Sequence, residues 1–372
     1  MIYIKTTQEL IDLLEIKTIN ELENLAKLYK IRGYSSFSKP MLISNLCEAI
    51  CKMALKLIQI LDEHDRLWFE QLLKQPTLFM ELKDEATIEI FFKWNILFVI
   101  NKDITKEISK NITSNNGAEL NAQYIIIPID IKDAYYNEFN RSEFIERKNL
   151  IRQIKTYRNG LLNLYGAVEL WWFEMMFNLE NDPPVDFHTL IEILEDIHLL
   201  YGGCKLIQDY VVHEYLYIED EEMFLKYKEL TRSLDYYEPS KEEVVLMADE
   251  NYYAEDKSTQ HLQLQFQNFL QLPKERAKMG VLLTVLLSRT SGLQGEELLD
   301  LLVTEWAKVN ILIIEETLIE LKPAILSVID NTRTWTNKGF TPKEVKSTML
   351  VLYNQFKAPT PIVDYQAKDI VC

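Results

Sequence analysis

The chain has 372 residues, of which 48% are hydrophobic and 26% charged, with only 10 glycines and 11 prolines. This length suggests two or three domains, and the hydrophobic share excludes a chain that is disordered throughout. The net charge of −17 excludes coating of nucleic acid by the whole protein, because a polyanion repels an acidic chain unless positive charge is concentrated in one region. Few helix breakers and abundant Leu, Ile, Glu and Lys predict a mainly α, multi-domain protein.

The cysteines and the apolar runs indicate in which compartment of the cell the protein is expected. The four cysteines are Cys47, Cys51, Cys204 and Cys372, which form no Cys-x-x-Cys zinc pattern, so reduced thiols are expected. The N terminus lacks the basic and apolar regions of a signal peptide, and the longest apolar run, residues 280–287, is too short to cross a bilayer. We therefore expect a cytoplasmic protein that makes no membrane contact.

The first predicted elements are two helices joined by a short extended link. A helix is predicted from Ile19 to about Tyr29, because Thr18 and Glu21 form a capping-box pattern ahead of a periodic apolar run. Gly33 lies in the break. Ser38 is in position to cap the second helix.

The middle of the chain carries the only convincing β signal. Residues 96–100 and 124–127 are short runs rich in branched apolar residues, and a polar loop at 111–117 separates them. Helices followed by such a hairpin, near 96–127, indicate a winged-helix-like arrangement, in which a helix enters the major groove and the wing touches the backbone. Residues 130–180 are predicted to be helical, and 185–232 to form two or three helices.

Positive charge is concentrated in two places. Residues 1–60 carry eight basic and six acidic side chains, a net charge of +2. Residues 141–158 carry six basic and two acidic side chains, and Lys148, Arg152 and Lys155 fall on one helix face. The favoured interpretation of this secondary basic face is a solvated surface paired with the acidic segment. The alternative is an extension of a nucleic-acid surface.

Negative charge is concentrated in residues 214–256, which hold 14 acidic and four basic side chains. An acidic loop, mobile around residues 236–239, is predicted there. The predicted domains are an N-terminal module at 1–54, a helical and winged-helix-like domain at 55–180, a helical domain at 185–358 and a flexible tail at 359–372.

The helix pair has an ordered pattern: a leucine-rich helix, an alanine-lysine pair, an isoleucine, a glycine-aromatic-serine turn, a lysine and a second leucine/isoleucine helix. The residues that carry it are Leu22, Leu25, Ala26, Lys27, Ile31, Gly33, Tyr34, Ser35, Lys39, Leu42, Ile43 and Ile50. The pattern resembles the N-terminal domain of the transcription termination factor Rho, which is related in shape to SAP and LEM modules. It covers residues 18–52 only. The chain departs from that family at Pro40-Met41, where many relatives have a lysine and an acidic residue, and it has no ATP-binding loop.

The resemblance implies nucleic-acid binding, RNA or DNA, and by association a role in transcription termination. Positive side chains contact phosphates, a glycine allows close backbone approach, and an aromatic ring stacks on a base. The predicted nucleic-acid-binding residues are Lys27, Lys30, Arg32, Gly33, Tyr34, Ser35 and Lys39. Two alternatives stay open: the module docks a protein, or Tyr34 only completes a small core.

No common catalytic pattern is present: the sequence has no His-Glu-x-x-His, Gly-x-Ser-x-Gly or Gly-x-Gly-x-x-Gly motif. We therefore expect no catalysis, no cofactor and no metal. The first hypothesis is a bacterial or phage-type regulatory protein whose N-terminal module holds nucleic acid while the acidic helical body binds a protein partner. The rival is an interaction or inhibitor protein in which that acidic body is the main binding surface. A helical hydrolase with a site assembled from distant residues stays open.

Overall fold

The computed structural model describes residues 8–74, 77–78, 85–101, 123–217 and 221–348. The α-helices are α1 (Leu10–Glu15), α2 (Ile19–Leu28), α3 (Lys39–Ile60), α4 (Glu63–Lys74), α5 (Glu85–Lys93), α6 (Ile129–Glu138), α7 (Ser142–Tyr165), α8 (Leu170–Glu180), α9 (Phe187–Tyr201), α10 (Glu222–Thr231), α11 (Lys241–Met247), α12 (Lys257–Leu270), α13 (Lys274–Thr290), α14 (Gly295–Lys308) and α15 (Glu315–Asn331). The strands are β1 (Thr77–Leu78), β2 (Phe98–Asn101), β3 (Gln123–Ile126), β4 (Ala167–Glu169), β5 (Cys204–Ile207) and β6 (Tyr210–His213). The predicted mainly α, multi-domain fold is confirmed.

The chain divides into two compact units. Within the described residues, the first unit comprises 8–155 and 182–205, and the second comprises 156–181 and 206–348. α3 is one continuous helix across residue 54, where the N-terminal module was expected to end. The predicted tail at 359–372 lies outside the described residues.

In the first unit, α3 is the central element. It contacts α1, α2, α6 and α9. Its buried side chains include Leu42, Leu46, Ile50 and Leu57, which recur at helical spacing and are fully excluded from solvent. Burial of each such side chain contributes about 1.5–3 kcal/mol, so α3 supplies much of the apolar stabilisation of this unit.

The predicted hairpin forms in the first unit. β2 and β3 pair antiparallel, with Phe98 opposite Ile126, and β1 adds to the other side of β3. Ile125 and Ile126 of β3 are buried, as the apolar run predicts. The predicted polar loop at 111–117 lies outside the described residues.

A sheet that the sequence did not predict lies mostly in the second unit. Its strands follow the order β4-β6-β5, and β4 pairs antiparallel with β6, with Ala167 opposite Val212. Residues 185–232, predicted to form two or three helices, form α9 and α10 with β5 and β6 between them. The strands escaped prediction because each has only three or four residues, too few to show an alternating apolar pattern. The β5–β6 turn also lacks the usual glycine signal, since Gln208 takes the positive φ of 56° there.

The larger core of the second unit lies among α12, α13, α14 and α15. Trp306 is fully buried there, and its indole N–H donates to the carbonyl oxygen of Gly280 at 3.0 Å. Phe266 packs edge-on against Trp306 at 5.3 Å between ring centroids. Gly280 is required by this packing, since an added Cβ would lie 2.8 Å from the Phe266 ring.

The acidic stretch 214–256 is not one loop, since it forms α10 and α11. Tyr236 is buried in it, stacked on Trp172 with 4.9 Å between ring centroids, and its hydroxyl donates to Glu169. The residue that was expected to mark a mobile turn is therefore anchored in the core of this unit. Trp172 is buried, whereas Trp171 is 54% exposed.

Candidate nucleic-acid interface

The predicted interface begins at α2, whose two ends are defined by backbone hydrogen bonds. Thr18 and Glu21 form the predicted capping box: the Thr18 N–H donates to Glu21 at 2.7 Å and the Glu21 N–H donates to Thr18 Oγ1 at 3.3 Å. At the other end, the Lys30 N–H donates to Lys27 and the Ile31 N–H donates to Ala26. This is a Schellman motif in which Lys30 takes the left-handed position, with φ 53°.

The link between the helices is a tight turn. Gly33 has φ 73°, a left-handed conformation that favours glycine. Residues Tyr34–Ser36 then form a single 3-10 turn, in which the Ser36 hydroxyl donates to the Gly33 carbonyl oxygen at 2.8 Å. Tyr34 is half-buried, whereas Ser35 is exposed. A half-buried Tyr34 presents part of its ring to solvent, which a stacking contact requires.

The N terminus of α3 differs from the prediction. Ser38 occupies the N-cap position, but its side chain makes no capping hydrogen bond. Pro40 lies in the first turn and has no N–H to satisfy. The first-turn amides of Lys39 and Met41 therefore have no side-chain cap in the described part of the chain. Free amides at a helix N terminus carry partial positive charge and attract anions.

The four predicted phosphate-contacting side chains all lie between the last turn of α2 and the first turn of α3. Lys27, Lys30, Arg32 and Lys39 are exposed. None has a carboxylate within 4.0 Å among the residues that the structure describes. The Lys39 ammonium donates to the backbone carbonyl oxygen of Glu15 at 2.9 Å, at the C-terminal end of α1, and still has two further protons to donate. The segment thus presents four cations that are not neutralised by ion pairs.

The secondary basic face on α7 is partly engaged within the first unit. The Lys155 ammonium lies 3.4 Å from the centroid of the Tyr201 ring and 3.9 Å from Asp62. Lys148 is half-buried, and burial lowers the pKa of its ammonium. Arg152 is exposed. Lys155 is therefore engaged by other side chains of the first unit, and Lys148 is partly shielded from solvent. For this reason the face is a weaker phosphate surface than the link between α2 and α3.

One group of potential metal ligands escaped the sequence patterns. Asp62, His64 and Asp65 place one ligand atom each within 4.8 Å of one another. Their proximity has a structural cause: Asp62 accepts the backbone N–H of Asp65 at 3.0 Å at the start of α4. The Asp65 carboxylate in turn accepts the hydroxyl of Thr87 at 3.0 Å. The Asp62 carboxylate thus caps the start of α4, and the Asp65 carboxylate is a buried acceptor for Thr87.

The two cysteines of α3 are poorly reactive because of their environment. Cys47 and Cys51 lie one turn apart on α3, both free and half-buried. Burial raises the pKa of each thiol to about 11, with a smaller contribution from the carboxylate of Asp130. At neutral pH they stay protonated and are poor nucleophiles and poor metal ligands.

Comparison with models of protein families, with curated proteins and with solved structures finds no match to this chain. The resemblance of residues 18–52 to the Rho N-terminal domain therefore stays a prediction. Across the described ranges, no helix has the length and apolar character needed to span a bilayer.

Proposed function

We propose that the protein binds RNA or DNA through the turn between α2 and α3. The observation that supports this proposal most strongly is the grouping of four exposed cations, none with a carboxylate partner within 4.0 Å in the described residues, next to an α3 N terminus that lacks a side-chain cap. Phosphate contacts to ammonium and guanidinium groups and to helix N-terminal amides are the usual means of holding a nucleic-acid backbone.

Two further features suit this role. Gly33 has no side chain, so a phosphate or sugar approaches the backbone of the turn without a steric barrier. Tyr34, next in the chain, exposes part of its ring for stacking on an unpaired base. The remainder of the protein is acidic, with a net charge of −17 over the whole chain, and repels phosphates. Binding is therefore favoured at this surface over the rest of the protein.

The test is a titration of the full chain against labelled single-stranded RNA, single-stranded DNA and duplex DNA. A variant with Lys27, Lys30, Arg32 and Lys39 all changed to Gln is expected to bind at least about 100-fold more weakly, since each lost charged contact costs about 1 kcal/mol or more.

The matched control changes four exposed cations of the second unit, Lys257, Lys274, Arg276 and Lys308, to Gln. Both variants lower the net charge from −17 to −21, because each removes four positive charges. The control is expected to bind like the unmodified protein. Equally weakened nucleic-acid binding in both variants would show that binding depends only on the net charge of the protein, and would contradict the proposal. The absence of binding to any of the nucleic acids at low salt would refute it.

A second candidate function, docking of a protein partner on the acidic stretch, is favoured by a separate observation. Among the described residues of 214–256, six large apolar side chains are exposed: Tyr215, Met223, Leu225, Leu230, Val245 and Leu246. Exposed apolar groups among acidic ones are typical of a protein interaction surface. A photo-crosslinking residue at Leu230, 67% exposed, should then trap a discrete protein, whereas one at Leu264, 55% exposed on α12, should not. The same adducts at both positions would exclude this function.

A further inference from the structure

A large cavity lies within the second unit, away from the proposed interface. Its volume is about 950 Å³, and its walls come from α11, the segment before α12, the last turns of α13 and α15, and residues 340–348. A cavity of this size accommodates an organic molecule of several hundred daltons.

Arg289 of α13 is the unusual residue of this wall. It lines the cavity although only 4% of its surface is exposed. Its Nη2 donates to the backbone carbonyl oxygen of Tyr252 at 2.8 Å, and its Nε has no hydrogen-bond partner. No carboxylate lies within 4.0 Å of the guanidinium among the described residues.

The other arginine of the cavity has a different environment. Arg333 donates to Glu243 at 2.6 Å and to Glu344 at 3.2 Å, and its guanidinium lies 3.4 Å from the centroid of the Tyr237 ring. Its positive charge is thus paired with two carboxylates of the protein. Arg289 is therefore the buried cation of this wall that still has capacity for an anion.

A buried charge without a counterion is energetically unfavourable, because removal from water costs several kcal/mol and no ion pair offsets it. Burial accordingly lowers the pKa of the Arg289 guanidinium to about 10, so it stays protonated at neutral pH. A well-packed apolar side chain of similar volume would be at least as stable at this position. An anionic ligand would supply the missing partner.

The rest of the lining narrows the chemistry of such a ligand. Acidic side chains also line the cavity, namely Glu242, Glu243, Asp256 and Glu344. They disfavour a phosphate or any ligand with several negative charges. Apolar and aromatic side chains make up much of the remaining wall: Tyr237, Leu246, Met247, Tyr252, Tyr253, Val285, Val328 and Phe340.

We infer that this cavity is a binding site for a small organic monocarboxylate, whose carboxylate pairs with Arg289 and whose apolar body packs against the aromatic wall. The planar guanidinium matches the geometry of a carboxylate, with two parallel N–H donors. The inference does not depend on nucleic-acid binding at the other surface, since every residue that it uses belongs to the second unit.

Calorimetric titration of the full chain tests it, with hexanoate, benzoate and 2-naphthoate as probes and their uncharged amides as matched controls. At least one acid is expected to bind with one-to-one stoichiometry and at least about 10-fold more tightly than its amide, because the amide cannot form the charge-assisted pair. Inorganic phosphate is expected not to bind. Failure of all three acids, equal binding of acid and amide, or tighter binding of phosphate would each overturn the inference.

Variants locate the site. Arg289→Met is expected to fold, and to weaken acid binding about 10- to 100-fold. Arg276→Met, an exposed arginine on the same helix, is expected to leave binding unchanged. Unchanged binding in Arg289→Met would place the acid elsewhere and refute the assignment. If Arg289→Met does not fold, Arg289→Lys is the second variant. It keeps the positive charge but cannot form two parallel N–H···O bonds to a carboxylate, so acid binding must weaken by at least about 10-fold in it too.

Discussion

The pH dependence of unfolding should reveal His213 as a group that resists protonation in the folded protein. His213 ends β6, and its Nδ1 accepts the backbone N–H of Tyr215 at 3.2 Å. Its ring centroid lies 5.1 Å from that of Trp335. Burial, with a smaller contribution from the positive charge of Arg158, lowers the pKa of His213 from 6.5 to about 4. Protonation at Nδ1 would also break the bond to Tyr215.

The sign and size of the effect follow from linkage. Above pH 6.5 His213 is neutral in both states and makes no contribution to the pH dependence. Below pH 6.5 the unfolded chain binds a proton that the folded protein does not, so the free energy of unfolding falls by about 1.4 kcal/mol per pH unit. Between pH 6.5 and the folded pKa of about 4 the total loss is about 3 kcal/mol.

Urea unfolding followed by circular dichroism measures this loss. His213→Asn keeps a side-chain acceptor for Tyr215 but does not titrate, and His261→Asn is the control because His261 is exposed. The stability of His213→Asn relative to the unmodified protein should rise by about 2 kcal/mol between pH 7.5 and pH 5. His261→Asn should follow the unmodified protein throughout. An unchanged difference for His213→Asn over this range would refute the account of a buried neutral imidazole.

Three other measurements examine the packing. Gly166→Ala should destabilise the protein by more than about 2 kcal/mol in urea unfolding, because φ is +73° and the added Cβ would lie 2.5 Å from the Trp335 ring. Gly33→Ala, with φ 73° and ψ 10° in the left-handed region and no neighbouring atom closer than 3.9 Å to the added Cβ, should cost only about 1 kcal/mol, and equal costs would contradict the packing argument. Asp256→Ala should cost about 1 kcal/mol of unfolding free energy, since its carboxylate accepts two backbone N–H groups at the start of α12, and no loss would show that this cap contributes nothing. The thiol of Cys47, with a pKa of about 11, should react with a disulfide reagent at pH 8 much more slowly in the folded protein than in urea, whereas equal rates would exclude its burial.

The elements that the sequence predicts correctly have local signals. The capping box of Thr18 and Glu21 marks the start of α2. The strands at 98–101 and 123–126 overlap the two predicted runs of branched apolar residues. In each case residues a few positions apart determine the conformation, so the pattern can be read without the fold.

The features that escaped prediction depend on partners far away in the sequence. β4 has three residues, and its conformation is fixed by pairing with β6 some forty residues later. The burial of Arg289 likewise arises from the packing of α13 against distant segments, and no local pattern distinguishes this arginine from the exposed Arg276 on the same helix.

The salt dependence of single-stranded RNA binding by the full chain tests the central proposal most directly. If all four cations of the turn, Lys27, Lys30, Arg32 and Lys39, contact phosphates, the logarithm of the binding constant should fall with the logarithm of salt concentration with a slope of about −3. Replacing the four with Gln should bring the slope close to zero, while the charge-matched control in the second unit should keep it. A slope that is the same in all three proteins would contradict the proposal that this turn holds the nucleic acid.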